Sequence, residues 1–262
     1  MLFYFSGTGN TRWAANRLAD ATHERLIDIC DADKTDKFVL DERERLGFCF
    51  PVHGWRPPRI MLDFIKHLVI ENAVGQYCYA LCTAGDNIGE TISIFEKALS
   101  DKGLILDSAS SLIMPESYVG LPFMDVDTLE KERMKKNMAQ AHLEEYVKVV
   151  VERRLGFINL VYGHWPKLNS RVIGGLFDKY LITDKPFHIV ENKCIKCGRC
   201  AKACPVHNIS FEKDTLPTWN HDGSCLVCFS CYHHCPVHAI EYGRRTYKKG
   251  QYYYERNEGK AL

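Results

Sequence analysis

Eight of the 12 cysteines in this 262-residue chain fall between positions 194 and 235, in two runs of one design. The first is Cys194-Ile-Lys-Cys197-Gly-Arg-Cys200-Ala-Lys-Ala-Cys204-Pro205; the second is Cys225-Leu-Val-Cys228-Phe-Ser-Cys231-Tyr-His-His-Cys235-Pro236. A C-x2-C-x2-C-x3-C-P spacing is that of thiolates holding cubane iron–sulfur clusters. Three closely spaced thiolates wrap one tight loop around three irons of a cube and leave the fourth iron to a ligand from elsewhere. Zinc closes at four ligands, usually as two separated Cys-x2-Cys pairs, and does not call for a third cysteine plus Cys-Pro in each half. Disulfide frameworks belong to small secreted domains, which a chain of this length is not.

In two-run proteins the fourth cysteine of each run serves the other cluster. The expected sets are Cys194, Cys197, Cys200 and Cys235 for one [4Fe-4S] cluster, with Cys225, Cys228, Cys231 and Cys204 for the other. On these motifs, residues 188–242 resemble the bacterial two-cluster ferredoxins. His233 and His234 inside the second run, and His207 and His238 after the two Cys-Pro pairs, are surplus to eight thiolates. They could tune a nearby cluster through hydrogen bonds or charge, or face solvent with little effect. Cys30, Cys49, Cys78 and Cys82 show no ligand spacing and read as buried structural thiols.

A second chemistry-bearing stretch lies at the other end. Ser6-Gly7-Thr8-Gly9-Asn10-Thr11 follows the apolar run Leu2-Phe-Tyr-Phe5 and precedes a helical stretch through Trp13 to Ala19. Strand, hydroxyl-rich glycine turn and helix N-terminus together form an anion site, because free N–H groups and the helix dipole both favour negative charge. A Walker A loop would need a lysine, and a dinucleotide fingerprint would need a third glycine where Arg12 stands. The stretch resembles the FMN phosphate loop of flavodoxins.

The elements that must position these groups alternate as in a doubly wound domain. Strands are expected at residues 2–5, 26–30, 46–50 and 76–82, and a fifth from 104 to 114; helices are expected at 60–68 and 90–100. Such a five-stranded parallel sheet binds ligands beyond the carboxyl ends of its strands. The loops there carry Pro51, Val52, His53, Gly54 and Trp55 after strand three, and Thr83, Ala84, Gly85, Asp86 and Gly89 after strand four. In flavodoxins the corresponding loops sandwich the isoalloxazine, so the resemblance implies that these residues bind FMN. Trp55 is the candidate to stack on the ring, unless it packs beneath Pro57-Pro58. His53 reads as a surface loop histidine or a hydrogen-bond donor to flavin, and Asp86 as a helix cap or a cofactor contact. Residues 125–155 read as an amphipathic helix with Leu129, Met134, Met138, Leu143, Tyr146 and Val150 on its apolar face.

The expected organisation is a flavodoxin-like α/β domain at 1–156, a connector at 157–187, a small α+β two-cluster domain at 188–242 and a basic, aromatic tail at 243–262. The connector is too apolar for a flexible linker, so it is expected to pack. The tail is expected to lie along the cluster domain or to dock an acidic redox partner. Net charge is +1 and the pI about 7.6, so nothing in the overall charge argues for nucleic acid or an anionic membrane as partner, and neither is expected. The N-terminus lacks a basic region and cleavage site, and no apolar run approaches the ~20 residues of a membrane span. Reduced cluster thiols suit the cytoplasm. As a whole the chain resembles the flavodoxin–ferredoxin fusion proteins of anaerobic bacteria and archaea. That resemblance implies an electron-transfer protein with FMN and two [4Fe-4S] clusters, an oxidoreductase or carrier linking one-electron and two-electron redox partner proteins. Two alternatives stay open: an FMN-dependent reductase of a small-molecule substrate, and a redox or oxygen sensor without turnover.

Overall fold

The computed structural model describes residues 1–256. Its first apolar run forms β1 (Leu2–Tyr4), which leads through the glycine turn into α1 (Asn10–Thr22) and back to β2 (Leu26–Asp28). There follow β3 (Lys37–Val39), β4 (Leu46–Pro51), α2 (Arg59–His67), β5 (Val69–Glu71), β6 (Cys78–Ala84), α3 (Thr91–Ser100), β7 (Ser108–Ile113), α4 (Leu129–Val151) and β8 (Phe157–Asn159). The main sheet runs β2-β1-β4-β6-β7-β8 and every pairing in it is parallel. This is the flavodoxin-like doubly wound order, with its switch point where the chain leaves β1 in both directions.

Helices on both faces require the central strands to be apolar throughout, and β6 is buried at every position. One face packs Phe3, Phe5, Phe48 and Phe50 against Met61, Ile65 and Phe95. The other packs Leu2, Cys49 and Leu81 against Leu18, Leu143, Tyr146 and Val150. Register then fixes the site: Tyr4 lies opposite Cys49, Pro51 opposite Thr83, and Ala84 opposite Ile113. The loops after β1, β4, β6 and β7 therefore emerge side by side.

The sheet has six strands rather than five. Phe157–Asn159, in the stretch read as connector, pairs with β7 from Ser108 to Ser110; three residues are too few for a periodicity to show. The fifth strand starts at Ser108, not at residue 104. A separate parallel pair, β3 with β5, flanks the sheet.

In α4 the expected apolar face holds only in its second half. Leu129, Met134 and Met138 are about half exposed, while Glu132 and Lys135 are buried in their place. Glu132 is paired with Arg256 and Lys136, and Lys135 with Asp127, which is what lets charges replace apolar groups there.

A helical run, with wide π-type turns at Asn169–Ile173 and Phe177–Leu181, joins the two halves. Beyond it, Phe187–Ile189 pairs antiparallel with Ile240–Tyr242, and Ile209–Ser210 with Thr218–Trp219. Short helices Arg199–Ala203 and Ser230–His233 follow the third-position turns of the cysteine runs. The core of this half, built on Phe187, Trp219, Phe229, Tyr232 and Tyr242, also takes in Val119 and Tyr118 from the first half. Among the described residues, no helix is long and apolar enough to cross a membrane.

Candidate functional site

At the carboxyl ends of the strands lies a cavity of about 240 Å³. Its wall takes Ser6, Gly7, Thr8, Asn10 and Thr11 from the first loop, Pro51 to Trp55 from the second, and Thr83 to Asn87 from the third. Gly9 and Gly89, also expected at the site, stand behind the wall. Gly9 is the residue before α1, at φ 96°, where a side chain would be strained and would meet Tyr254. A Cβ on Gly89 would meet Trp55 and Ser170.

The backbone N–H groups of Gly7, Thr8, Gly9 and Asn10 donate to nothing among the described residues. Four free donors at the start of a 13-residue helix are a fitting seat for an anion. Two side chains of the loop serve as scaffold instead. Thr11 Oγ1 shares a 2.8 Å hydrogen bond with Thr83 Oγ1, and Asn10 Nδ2 donates to Pro115 O at 3.1 Å. Ser6 Oγ accepts from Arg12 N, which leaves its own hydrogen for a ligand.

The second loop is a tight turn in which His53 and Arg56 exchange backbone hydrogen bonds of 2.9 and 3.1 Å. Its central residues Gly54 and Trp55 both have positive φ, 55° and 60°. A tryptophan in the left-handed region is strained, and such strain persists where the surroundings impose it. Trp55 faces the cavity rather than packing only under the proline turn. His53 is no surface histidine: it lines the cavity edge-on to Phe5, and burial pushes its pKa down to about 4 from an ordinary 6.5. A depressed histidine binds its proton in the unfolded chain first, so the fold loses stability as pH falls from 6.5 towards 4. The His53→Gln variant should lose less stability than wild type between pH 7 and pH 5, read as the difference in denaturation midpoints. Asp86 is exposed and, among the described residues, accepts only from Asn87 Nδ2; α3 begins without a side-chain cap, so capping is not its role.

The wall has members that the sequence did not single out. Glu116 follows β7; its Oε1 accepts from Ser117 N and Tyr118 N at 3.0 and 2.9 Å. Burial raises its pKa, partly offset by those N–H groups and by Lys135. A Cβ on Gly85 would strike its carboxylate, so the glycine admits it to the cavity. Asp127 accepts from Glu116 N at 2.9 Å, and Lys135 bridges Asp127 to the Gly85 carbonyl at 2.7 Å. Burial works against the Asp127 charge, but Lys131 and Lys135 hold its carboxyl below the ordinary range. Phe177 of the connector closes over Gly54, where a Cβ would lie 2.7 Å from its ring, and packs edge-on to Tyr118.

The cysteine runs repeat with an offset of 31 residues, from Cys194 to Cys225 through Cys204 to Cys235, and their backbones repeat with it. Lys196 and Val227, Gly198 and Phe229, His207 and His238 all have positive φ. Five of these six are not glycine, and β-branched Val227 at 51° is a marked departure; loops bent this way store strain in order to curl around something. Amide-to-sulfur hydrogen bonds repeat too: Lys196 N to Cys194 Sγ and Val227 N to Cys225 Sγ at 3.4 Å, Asn208 N to Cys204 Sγ at 3.3 Å, Ala239 N to Cys235 Sγ at 3.2 Å. Such donors stabilise thiolate sulfur.

Cys194, Cys197, Cys200 and Cys235 line one small cavity. The Cys231 thiol is raised by burial first and then by Cys228, Cys225 and Cys204, with Cys200 next, so a second group of four adjoins the first. Among the described residues no three such side chains converge on a single ion, whereas a cubane needs four thiolates on four separate irons. Of the remaining cysteines, Cys49, Cys78 and Cys82 are buried in the sheet, while Cys30 is only partly buried, its thiol pushed up by burial and by Asp28 beside it, with Cys228 a lesser influence.

The two sites meet. Leu226, Val227 and Cys228 line the cavity at the sheet ends, and a Cβ on Gly7 would lie 2.9 Å from Cys228 Cβ. His233 is not solvent-facing; it is 2% exposed and rivets the halves together. Its Nε2–H donates to Ser117 O at 2.7 Å and its Nδ1 accepts from Tyr252 N at 3.0 Å; burial lowers its pKa to about 3, so it is neutral. His234 stacks on Tyr253 with ring centroids 4.2 Å apart.

The tail, as far as residue 256, is a strap between the sites; its remainder lies outside the described residues. Gln251 Nε2 donates to Cys235 O at 2.9 Å, Tyr252 Oη to Asn10 Oδ1 at 2.6 Å and Tyr254 N to Thr8 O at 2.8 Å.

Residues 187–242 match the family of 4Fe-4S dicluster domains, which implies two [4Fe-4S] clusters on the eight cysteines within that span. Solved structures with some likeness include a Bacteroides uniformis protein provisionally named a flavoprotein. It is 19% identical, with 43% of this chain and 88% of that one covered and a TM-score of 0.34. Another is rubredoxin oxygen:oxidoreductase from Desulfovibrio gigas, at 14% identity, 56% and 35% coverage and a TM-score of 0.32. Likeness at these scores carries no argument, and the strand order stands without it. No curated protein matches the chain. Strand order and family match together identify a flavodoxin-like α/β domain followed by a 4Fe-4S dicluster domain.

Proposed function

We propose that this protein relays electrons between two [4Fe-4S] clusters and an FMN bound at the sheet ends, and so links one-electron to two-electron redox partners. The observation that carries the reading is the place of Cys228: one side chain belongs both to a cluster loop and to the wall of the cavity where the phosphate-type loop opens. A cluster passes single electrons and a flavin takes one or two, so the pair converts one kind of traffic into the other.

The roles of the chain's own groups follow. The N–H groups from Gly7 to Asn10, with the hydroxyls of Ser6 and Thr8, would hold the phosphate; one loop and one helix start offer a single phosphate seat, as FMN needs. His53, Gly54 and Trp55 on one side and Thr83 to Asp86 on the other would flank the ring. Cys194, Cys197, Cys200 and Cys235 would hold the outer cluster, and Cys204, Cys225, Cys228 and Cys231 the inner one. Phe177 and Tyr118 pack together over one side of the cavity, and the closure of the connector on Gly54 favours a relay over a reductase with a wide substrate pocket. Thiolates that must stay reduced suit the cytoplasm of an anaerobe.

A cofactor inventory on anaerobically purified protein tests the reading. About eight irons and one FMN per chain are expected; eight irons with no flavin, even after incubation with FMN, would refute it. The strap makes a further expectation: Tyr252→Phe removes the hydrogen bond that orients Asn10 and should weaken FMN binding roughly tenfold, for a bond of about 1.4 kcal/mol. Flavin fluorescence quenching during titration measures it.

A further inference from the structure

We propose that an acidic one-electron carrier protein docks on the first cysteine loop, over Cys197, and exchanges electrons there. The inference deepens the relay reading by naming the partner, and it rests on that reading.

It starts from an asymmetry between two loops whose backbones are alike. In the second loop Leu226, Val227 and Phe229 are at most 7% exposed, and no lysine or arginine stands between Cys225 and Cys235. In the first loop two of the three equivalent positions, Ile195 and Lys196, are turned out to solvent, and the third, Gly198, lies under the Phe211 ring. Cys197 is exposed, Ile195 is 59% exposed, and Lys193, Lys196, Arg199 and Lys202 are all exposed around them. None of the four cations has an ion-pair partner among the described residues. With Glu191 as the only carboxylate between 191 and 202, the segment carries 4 − 1 = +3, in a chain whose net charge is +1.

Positive charge concentrated around one exposed ligand steers a negatively charged partner to that ligand and turns away positive ones. Ile195 at the centre supplies the apolar contact that an encounter needs once it is aligned. The loop that faces the flavin cavity needs no such equipment, and has none. In each encounter one electron passes from the reduced carrier to the outer cluster. The carrier is oxidised by one electron, the cluster is reduced by one, and no bond or proton moves.

The test uses the full-length protein with both clusters and flavin loaded, mixed in a stopped-flow instrument with a small acidic bacterial ferredoxin reduced photochemically. The combined variant Lys193→Gln, Lys196→Gln, Arg199→Gln and Lys202→Gln should lower the second-order rate constant at least tenfold in about 0.01 M salt. The difference should vanish near 1 M salt, where the screening length shrinks from about 30 Å to about 3 Å. Iron content should not change. Should the combined variant lose iron, Lys196→Gln alone should still slow the reaction about twofold at low salt, since one surface charge steers in proportion.

Equal rates for wild type and variant at low salt would overturn the proposal. So would capture of the wild-type chain, but not the variant, by phosphatidylglycerol vesicles without any salt dependence of the ferredoxin reaction. A failed relay looks different: the outer cluster would bleach at a normal, salt-dependent rate while the flavin stayed oxidised.

Discussion

Replacing Cys228 with alanine should leave about four irons per chain instead of about eight and cut the flavin off from the remaining cluster. Cys228 is the cysteine whose side chain both faces the cavity and lies against Gly7 of the phosphate-type loop. Its run also supplies Leu226 and Val227 to the same wall. Losing the inner cluster lengthens the path from the outer one, and tunnelling falls steeply with distance. Flavin reduction through the clusters should slow by roughly 100-fold or more, equivalent to about 2.7 kcal/mol on the barrier. The control is Cys197→Ala, at the exposed end of the other run. It should also lose about half the iron, yet a small reductant should still reach the flavin through the inner cluster. Iron analysis and stopped-flow absorbance read both; similar flavin rates in the two variants would contradict the geometry.

Lys135→Met should destabilise the protein by about 2 kcal/mol, because it strips the buried one of two lysine partners from a buried carboxylate, leaving the more exposed Lys131, while keeping the bulk of the side chain. Lys135 is 9% exposed at its side chain and Asp127 4%. The pair ties two parts of the cavity wall together, since Asp127 also accepts from Glu116 N and Lys135 also donates to Gly85 O. The expected fall in melting temperature is roughly 4–8 °C. Adding Asp127→Asn should recover part of the loss, since the buried charge left with Lys131 alone goes with it. No recovery in the double variant would mean that packing, not the charge, accounts for the effect.

What the sequence made legible was whatever repeats or punctuates. The doubled cysteine runs, the glycine turn after a strand, and the alternation of apolar strands with helices led to the dicluster domain and the doubly wound sheet. Hidden features depended on contacts between distant segments. β8 is three residues long and exists only because α4 returns the chain beside β7. Glu132 and Lys135 sit on a face that their residue types deny, and their partners Arg256 and Asp127 lie outside the helix that carries them. Glu116 belongs to no motif and enters the cavity because Gly85 lacks a side chain. His233 read as a possible tuner of a cluster, yet its two ring nitrogens are both used in joining Ser117 to the tail. The 31-residue offset was present in the sequence, but that it carries positive φ at Val227 and Phe229 was not.

The central claim is that electrons cross between the inner cluster and the flavin cavity, past Cys228 and Gly7. The most direct measurement reduces the fully loaded protein with a substoichiometric pulse of reductant and follows cluster and flavin absorbance together. The relay predicts that clusters bleach first and recover as the flavin is reduced, with matching rate constants on a millisecond to second scale and independent of protein concentration. Clusters that stay bleached beside an oxidised flavin of higher potential, or a rate that rises with protein concentration, would contradict it.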